Sequence, residues 1–247
     1  MKSDPGVPNE GEAVSRMTSP DVDVNDRHFI VLSLLKKWIE GVALLHANGV
    51  LLDLGCGGQP YRALFSSRVT QYIGADITAT SGVKLDVKMT PGAPVPLNDA
   101  CVDTILSTQT LEHVFDINQY LGECSRLLRP SGILILTVPM QWRLHEAPND
   151  YWRFTRYGVL EIMARNHFSE VSITPCGGVY ALVGQIINSH LGVYGRGNKF
   201  IFRLINRLAL WLDRRFPDPD ETLLWMCIGQ KSHGALYQGH ALLGPNS

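Results

Sequence analysis

The chain has 247 residues, 22 Lys and Arg against 23 Asp and Glu, and a net charge of −1 at pH 7. That length fits one domain of ordinary size with room for an insertion, and so balanced a charge gives no overall field for nucleic acid or an anionic membrane. The five cysteines form no C-x-x-C pair and no zinc spacing, so no metal site is expected, and they read as reduced core thiols of a cytoplasmic protein.

Residues 1–22 are rich in Pro, Gly, Ser and acids without an apolar signal core, and read as a disordered leader. Over 24–45, Ile30, Leu34, Trp38 and Val42 recur at helical spacing, with Asp21, Asp23 and Asn25 as candidate N-caps. Val50-Leu51-Leu52-Asp53-Leu54 is a short apolar run ending near an acid, followed by Gly55-Cys56-Gly57-Gly58-Gln59-Pro60. This predicts a buried strand that breaks into a tight glycine loop, with a helix opening near Pro60 and running through 62–65. Strand two is predicted over 72–75 and ends at Asp76, and a short strand three is predicted over 83–87.

Strand four is expected at 104–108 and a helix at 117–128, stopped by Arg129-Pro130-Ser131-Gly132. A β-branched strand five follows at 133–138, a helix at 156–166 and strand six at 171–175. Strand seven is expected at 223–229. Two apolar helical patterns, 179–191 and 198–216, lie before it and read as a helical cap inserted at about 178–220. The domain itself should span 23–231, with 232–247 as a tail lacking a core pattern. Strands alternating with helices predict an α/β fold, a doubly wound, mostly parallel seven-stranded sheet with helices on both faces. Its ligand should lie beyond the carboxyl ends of the strands. No apolar run reaches the roughly 18 residues of a membrane span.

A glycine loop after one strand and a carboxylate at the tip of the next can hold the ribose of a nucleoside. The dinucleotide fingerprint needs a third glycine where Pro60 stands. Asp53-Leu54-Gly55-Cys56-Gly57 instead resembles motif I of class I S-adenosylmethionine-dependent methyltransferases, with Gln59 departing from the third glycine often seen there. Asp99 to Val114 is similar to the family segment that leads through an acidic turn and strand four to L-E-H, and Leu127 to Gly132 resembles its L-x-P-G-G turn. His145-Glu146-Ala147-Pro148-Asn149-Asp150-Tyr151-Trp152-Arg153-Phe154-Thr155 resembles a bacterial branch carrying H-E-x-P-x-D-Y-x-R-F-T.

The resemblance implies a Rossmann-like methyltransferase sheet and S-adenosyl-L-methionine as cofactor. It implies cofactor-binding roles for Asp53, Gly55, Gly57, Asp76, Ile77, Asp86, Gln109 and Thr110, with Asp76 on the ribose and Asp86 near the adenine. Methyl transfer to a hydroxyl requires loss of a proton, a task suited to histidine. His145, just beyond strand five, is the expected base and His113 the alternative; Glu112 reads as a cap of the following helix. Tyr151, Trp152 and Arg153 are expected to shape an acceptor pocket, Arg153 by holding a carboxylate or phosphate, against the plainer reading of a lid whose His, Asp and Arg bond one another.

The expected acceptor is a small molecule or a glycosylated or peptide intermediate, methylated at oxygen. The rivals are a nicotinamide-dependent oxidoreductase and a methyltransferase-like binding or scaffold protein without turnover. Along 198–216, Lys199, Arg203 and Arg207 lie on one face and Ile201, Leu204, Ile205 and Leu208 on another, which predicts that the apolar face packs on the domain. A peripheral membrane or subunit contact through that helix stays open, as does a homodimer.

Overall fold

The computed structural model describes residues 17–232; the leader up to residue 16 and the tail from 233 lie outside the described residues. Strand β1 (Val50–Leu54) is the centre: Leu51, Leu52 and Leu54 are buried, as a strand covered on both faces requires. β2 (Gln71–Asp76) and β4 (Val102–Thr108) pair with it in parallel on either side. β3 (Val87–Lys88) and β5 (Leu128–Pro139) extend the sheet outward, again in parallel. β7 (Leu224–Lys231) runs antiparallel between β5 and β6 (Phe168–Pro175), giving the order β3-β2-β1-β4-β5-β7-β6. The chain winds outward in opposite directions from β1 and β4, so the crevice at their carboxyl ends is the switch point where an open α/β sheet binds its ligand.

Helices cover both faces. α3 (Ile117–Leu127) and α4 (Arg156–Arg165) place Leu121, Cys124, Leu127, Val159 and Met163 against Leu52, Ile105 and Leu134. Asp116 caps α3 by accepting the Gln119 N–H at 2.9 Å, and Thr155 caps α4 through the Gly158 N–H at 3.1 Å. On the other face α1 (Phe29–Leu45) and the short α2 (Arg62–Phe65) cover Leu51, Leu106 and Ile135 with Ile30, Leu35, Ile39 and Phe65.

The inserted helices α5 (Val179–Val193) and α6 (Lys199–Arg215) extend this second layer rather than stand over the cleft as a separate cap. Gly184 of α5 is so close to α6 and α1 that a Cβ there would meet Ala209 at 2.5 Å and Ile30 at 2.9 Å. Buried Asn188 donates to Asn206 at 2.7 Å, and Asn206 donates to the carbonyls of Val24 and Asp26. The buried residues of α6 are Asn206 and Ala209; of the expected stripe, Ile201 and Ile205 are half-buried, while Leu204 and Leu208 are exposed. The approach of α5 through Gly184 and the Asn206 bonds centre the contact on Asn206 and Ala209, which leaves Leu204 and Leu208 outside it.

Strands three, four, five and six begin elsewhere than expected, and three and five show why. Strand three begins at Val87 because the Val83 N–H closes a turn onto Thr80 and the Lys84 carbonyl accepts from Gln59 Nε2, leaving 83–86 outside the ladder. β5 begins at Leu128 because 129–132 bulges instead of ending the pairing: Val102 pairs with Leu128 and Thr104 with Ile133, and Ser131 adopts φ +63°. Among the described residues no helix is long and apolar enough to cross a membrane.

Candidate active site

The glycine loop is stitched to the neighbouring strand ends. Gly55 and Cys56 donate to the Ala75 carbonyl at 2.9 and 3.1 Å, and Gly57 donates to Asp76 Oδ2 at 2.8 Å. Gly55 has φ +78°, and a Cβ there would stand 2.4 Å from Thr110, so the residue must be glycine on both counts. Gln59 takes the left-handed backbone (φ +54°) where the third glycine was missed. Its side chain crosses Gly74, where a Cβ would lie 2.5 Å from Nε2, to reach the Lys84 carbonyl. The Met17 backbone and the Thr18 side chain pass against Gly58.

Asp53 and Asp76 are both buried at the strand tips. Asp76 accepts the Gly57 N–H through one oxygen and the Thr78 N–H, at 3.1 Å, through the other, while Ile77 beside it is 44% exposed and offers an apolar face. Tyr72 donates its hydroxyl to Asp53 Oδ2, and Asp53 Oδ1 is buried without a hydrogen-bond partner. Burial pushes the Asp53 carboxyl up to about 7, against the Tyr72 hydrogen bond, which lowers it.

Asp86 is not brought to the ligand end. It lies before β3, level with Gly74, whose N–H it accepts at 2.8 Å, and Arg62 lies at 3.5 Å from the same oxygen. The carboxyl ends of β2 and β3 are further on, where Met89 N–H bonds the Asp76 carbonyl. Asp86 is thus a brace for β2, and the adenine role expected of it does not fit.

Beyond β4, Gln109 donates from its backbone and from Nε2 to Thr137 of β5, at 3.2 and 3.1 Å, while Thr110 stands over Gly55. A single 3₁₀ turn, Leu111–His113, then turns Glu112 inward. Glu112 does not cap α3, a role Asp116 takes; it is fully buried with neither carboxylate oxygen partnered. Burial pushes its carboxyl up to about 8. Sequence reasoning missed this residue, although an acid set between Leu111 and His113 at a strand tip was the available signal.

The segment after β5 folds back onto this turn. Tyr151 N–H bonds the Glu112 carbonyl at 2.9 Å, and Trp152 Nε1–H bonds the Val114 carbonyl at 2.9 Å. Tyr151 and Trp152 are 42% and 39% exposed and form a wall. The His113 and His145 rings meet edge to face with centroids 4.7 Å apart. Asp150 accepts from His145 Nδ1 at 3.1 Å and from its backbone N–H at 3.0 Å.

Arg153 forks onto Asp150 at 2.7 and 2.8 Å and spends its remaining donors on the carbonyls of Trp142, Arg143 and Trp152. Those bonds hold Asp150 well below the usual carboxylate range although burial works against them. Desolvation lowers the His145 pKa, partly opposed by Asp150. Arg153 therefore has no donor left for a substrate anion, a correction to its expected role, because the guanidinium is consumed in setting the loop.

Two clefts contain none of the candidate cofactor-binding or catalytic side chains. One of about 370 Å³ runs between Trp142 and Arg143 and the α5 residues Gln185 and Ser189. Another of about 410 Å³ lies between α1 and the β6–β7 edge. The site is assigned by its chemistry, not by the size of a cavity.

Residues 52–136 match the family model described as a methyltransferase domain. A probable S-adenosylmethionine-dependent methyltransferase of Mycobacterium tuberculosis is 31% identical over 133 residues, 49% of this chain and 46% of the relative. A ubiquinone biosynthesis O-methyltransferase of Rhodopseudomonas palustris is 28% identical over 105 residues, 38% of this chain and 41% of the relative. The matched region thus spans less than half the length of these relatives. A solved S-adenosylmethionine-dependent methyltransferase from Archaeoglobus fulgidus shares the fold with TM-score 0.53 and 16% identity, over 83% of this chain and 95% of that one. The family match covers β1 to β5, and S-adenosylmethionine is the cofactor that the mycobacterial relative's name carries.

The residues fit that cofactor. The buried oxygen of Asp53 without a donor suits the methionyl ammonium, Gly55 keeps a close approach open, and Asp76 with the exposed Ile77 suits a ribose and a flat base.

Proposed function

We propose that the chain is an S-adenosylmethionine-dependent methyltransferase that methylates a hydroxyl of a small-molecule, sugar or secondary-metabolite or peptide intermediate. The observation that carries the cofactor half is Asp53 Oδ1, a buried carboxylate oxygen without a partner beside the glycine loop, which calls for a cationic donor. Held by Asp53, Gly55 and Asp76, the cofactor would supply an electrophilic methyl, so that an acceptor oxygen would gain the C–O bond as the S–C pair returned to sulfur and would give up its proton.

The chain's own residues hold the reactants in line and keep water out. The acceptor end is the 3₁₀ turn and the loop after β5, where Tyr151 and Trp152 form the wall and His113 and His145 each keep one ring nitrogen away from their backbone and Asp150 bonds. Either imidazole can take the hydroxyl proton, and the Asp150 bond orients His145 for it. Oxygen as the target is supported by the R. palustris relative, whose name carries O-methylation.

Calorimetry with S-adenosylmethionine, its demethylated product and NADH, followed by transfer of labelled methyl to a panel of hydroxyl compounds, tests the reading. Binding of the first two and not of NADH is expected. Binding of NADH alone would return the chain to the oxidoreductase reading, and cofactor binding without transfer to any acceptor would favour a scaffold.

A further inference from the structure

Glu112, His113 and His145 bring one ligand atom each to within 4.8 Å of one another. We propose that these three side chains bind a single divalent transition ion of the zinc class at the acceptor end of the cleft. The proposal rests on the cleft being read as a methyltransferase acceptor site, and it changes how the hydroxyl loses its proton there.

The tautomers carry the argument. His113 Nδ1 lies 2.7 Å from the Asn149 carbonyl, an acceptor only, so Nδ1 carries the proton and Nε2 holds a lone pair. That Nε2 is 4.0 Å from Glu112 Oε1. His145 Nδ1 lies between Asp150 Oδ2 at 3.1 Å and the Arg143 carbonyl at 3.2 Å, again acceptors only, so its Nε2 also holds a lone pair. Each imidazole thus keeps Nε2 as its lone-pair nitrogen, and a ligand atom of each ring lies within 4.8 Å of the Glu112 carboxylate. Glu112 is 0% exposed there and neither of its oxygens has a partner.

A proton on Glu112 does not resolve this, because 4.0 Å to His113 Nε2 is too long for a hydrogen bond. A cation does. With metal–ligand bonds of about 2.0–2.2 Å, ligand atoms on one ion stand roughly 3.3 Å apart, so the ion would draw this set inward by about an ångström. The outer partners are of the kind that metal-bound imidazoles have: a backbone carbonyl behind His113 and a carboxylate behind His145, itself fixed by Arg153. Two imidazoles and one carboxylate suit zinc or its first-row neighbours and not magnesium or calcium, which take oxygen ligands.

Three protein ligands leave positions open, as in catalytic sites. An acceptor hydroxyl bound there would be acidified by the ion and would release its proton to water, with His145 serving as ligand in place of base.

The test uses the full chain, freed of metal by chelation and dialysis. Zn²⁺ is titrated by calorimetry, and Co²⁺ by the visible absorption it gains in a site of low coordination number. One ion per chain is expected, with affinity falling at least about tenfold in Glu112→Gln and in His145→Ala, and with excess Mg²⁺ failing to displace it. The expected Co²⁺ band of the wild type should disappear in both variants.

His145 stands on a loop, so His145→Ala decides the matter should Glu112→Gln not fold. S-adenosylmethionine binding, measured on each protein, reports an intact cofactor half. Wild type that binds neither ion, or variants that bind as tightly as wild type through other histidines, overturns the inference. Wild type that binds the ion but not S-adenosylmethionine leaves the metal site standing and sinks the methyltransferase reading instead.

Discussion

Ionisation of Asp53 should set the pH dependence of cofactor affinity. The carboxyl is buried at the end of β1, Tyr72 donates to one oxygen and the other has no partner, and burial pushes it up to about 7. In an unfolded chain an aspartate titrates near 3.9. The folded value is raised, so the stability that protonated Asp53 contributes to the ligand-free protein is complete below about pH 4 and is lost as pH rises toward 7. Binding a cationic ammonium runs the other way, since it needs the carboxylate. Below pH 7 a proton must leave first, at about 1.4 kcal/mol, or tenfold in affinity, per pH unit.

Between pH 6 and 8 the affinity for S-adenosylmethionine should therefore rise about tenfold and then level off. Near pH 7 binding should release about half a proton, read by calorimetry in buffers of different ionisation enthalpy. Asp53→Asn should bind more weakly and lose the slope. Glu112, pushed up to about 8, titrates in the same range, so the comparison with Asp53→Asn isolates the Asp53 contribution. A wild-type affinity that is flat from pH 6 to 8, or an Asp53→Asn variant with an unchanged slope, would refute the reasoning.

Asp76→Ala should weaken cofactor binding by about ten- to a hundredfold, the loss of a charge-assisted contact, and a change within twofold would remove Asp76 from the site. Gly55→Ala should abolish measurable binding, since its Cβ meets Thr110 at 2.4 Å and its φ of +78° is strained for alanine; retained affinity would show that the loop yields. His145→Ala should lower turnover by roughly 10²–10⁴-fold with cofactor affinity unchanged, as base or as ligand, and near-normal turnover would reduce the loop to a lid. Arg153→Met should cost about 2–3 kcal/mol in urea denaturation, because it leaves the buried Asp150 carboxylate without its fork; a loss under about 0.5 kcal/mol would contradict the clamp.

β1, β2, β4 and β5 were legible in the sequence because each carries a short apolar run, and burial on both faces leaves such runs no other place. The same holds for the placement of the glycine loop and of Asp76, which depends on backbone freedom and on a position at a strand end, both local properties. Asp86 and Arg153 were misplaced for the opposite reason: a carboxylate or guanidinium goes where its partners are, and Gly74 and Asp150 are brought to them by register and loop closure. The inward turn of Glu112 depends on a 3₁₀ turn pinned from 38 or more positions along the chain, by Trp152 on Val114. The orientation of α6 depends on a pair of asparagines buried between helices. Periodicity reports which residues are apolar, but which of them are covered depends on how closely two surfaces can approach, and at α5 that was decided by Gly184 against Ala209.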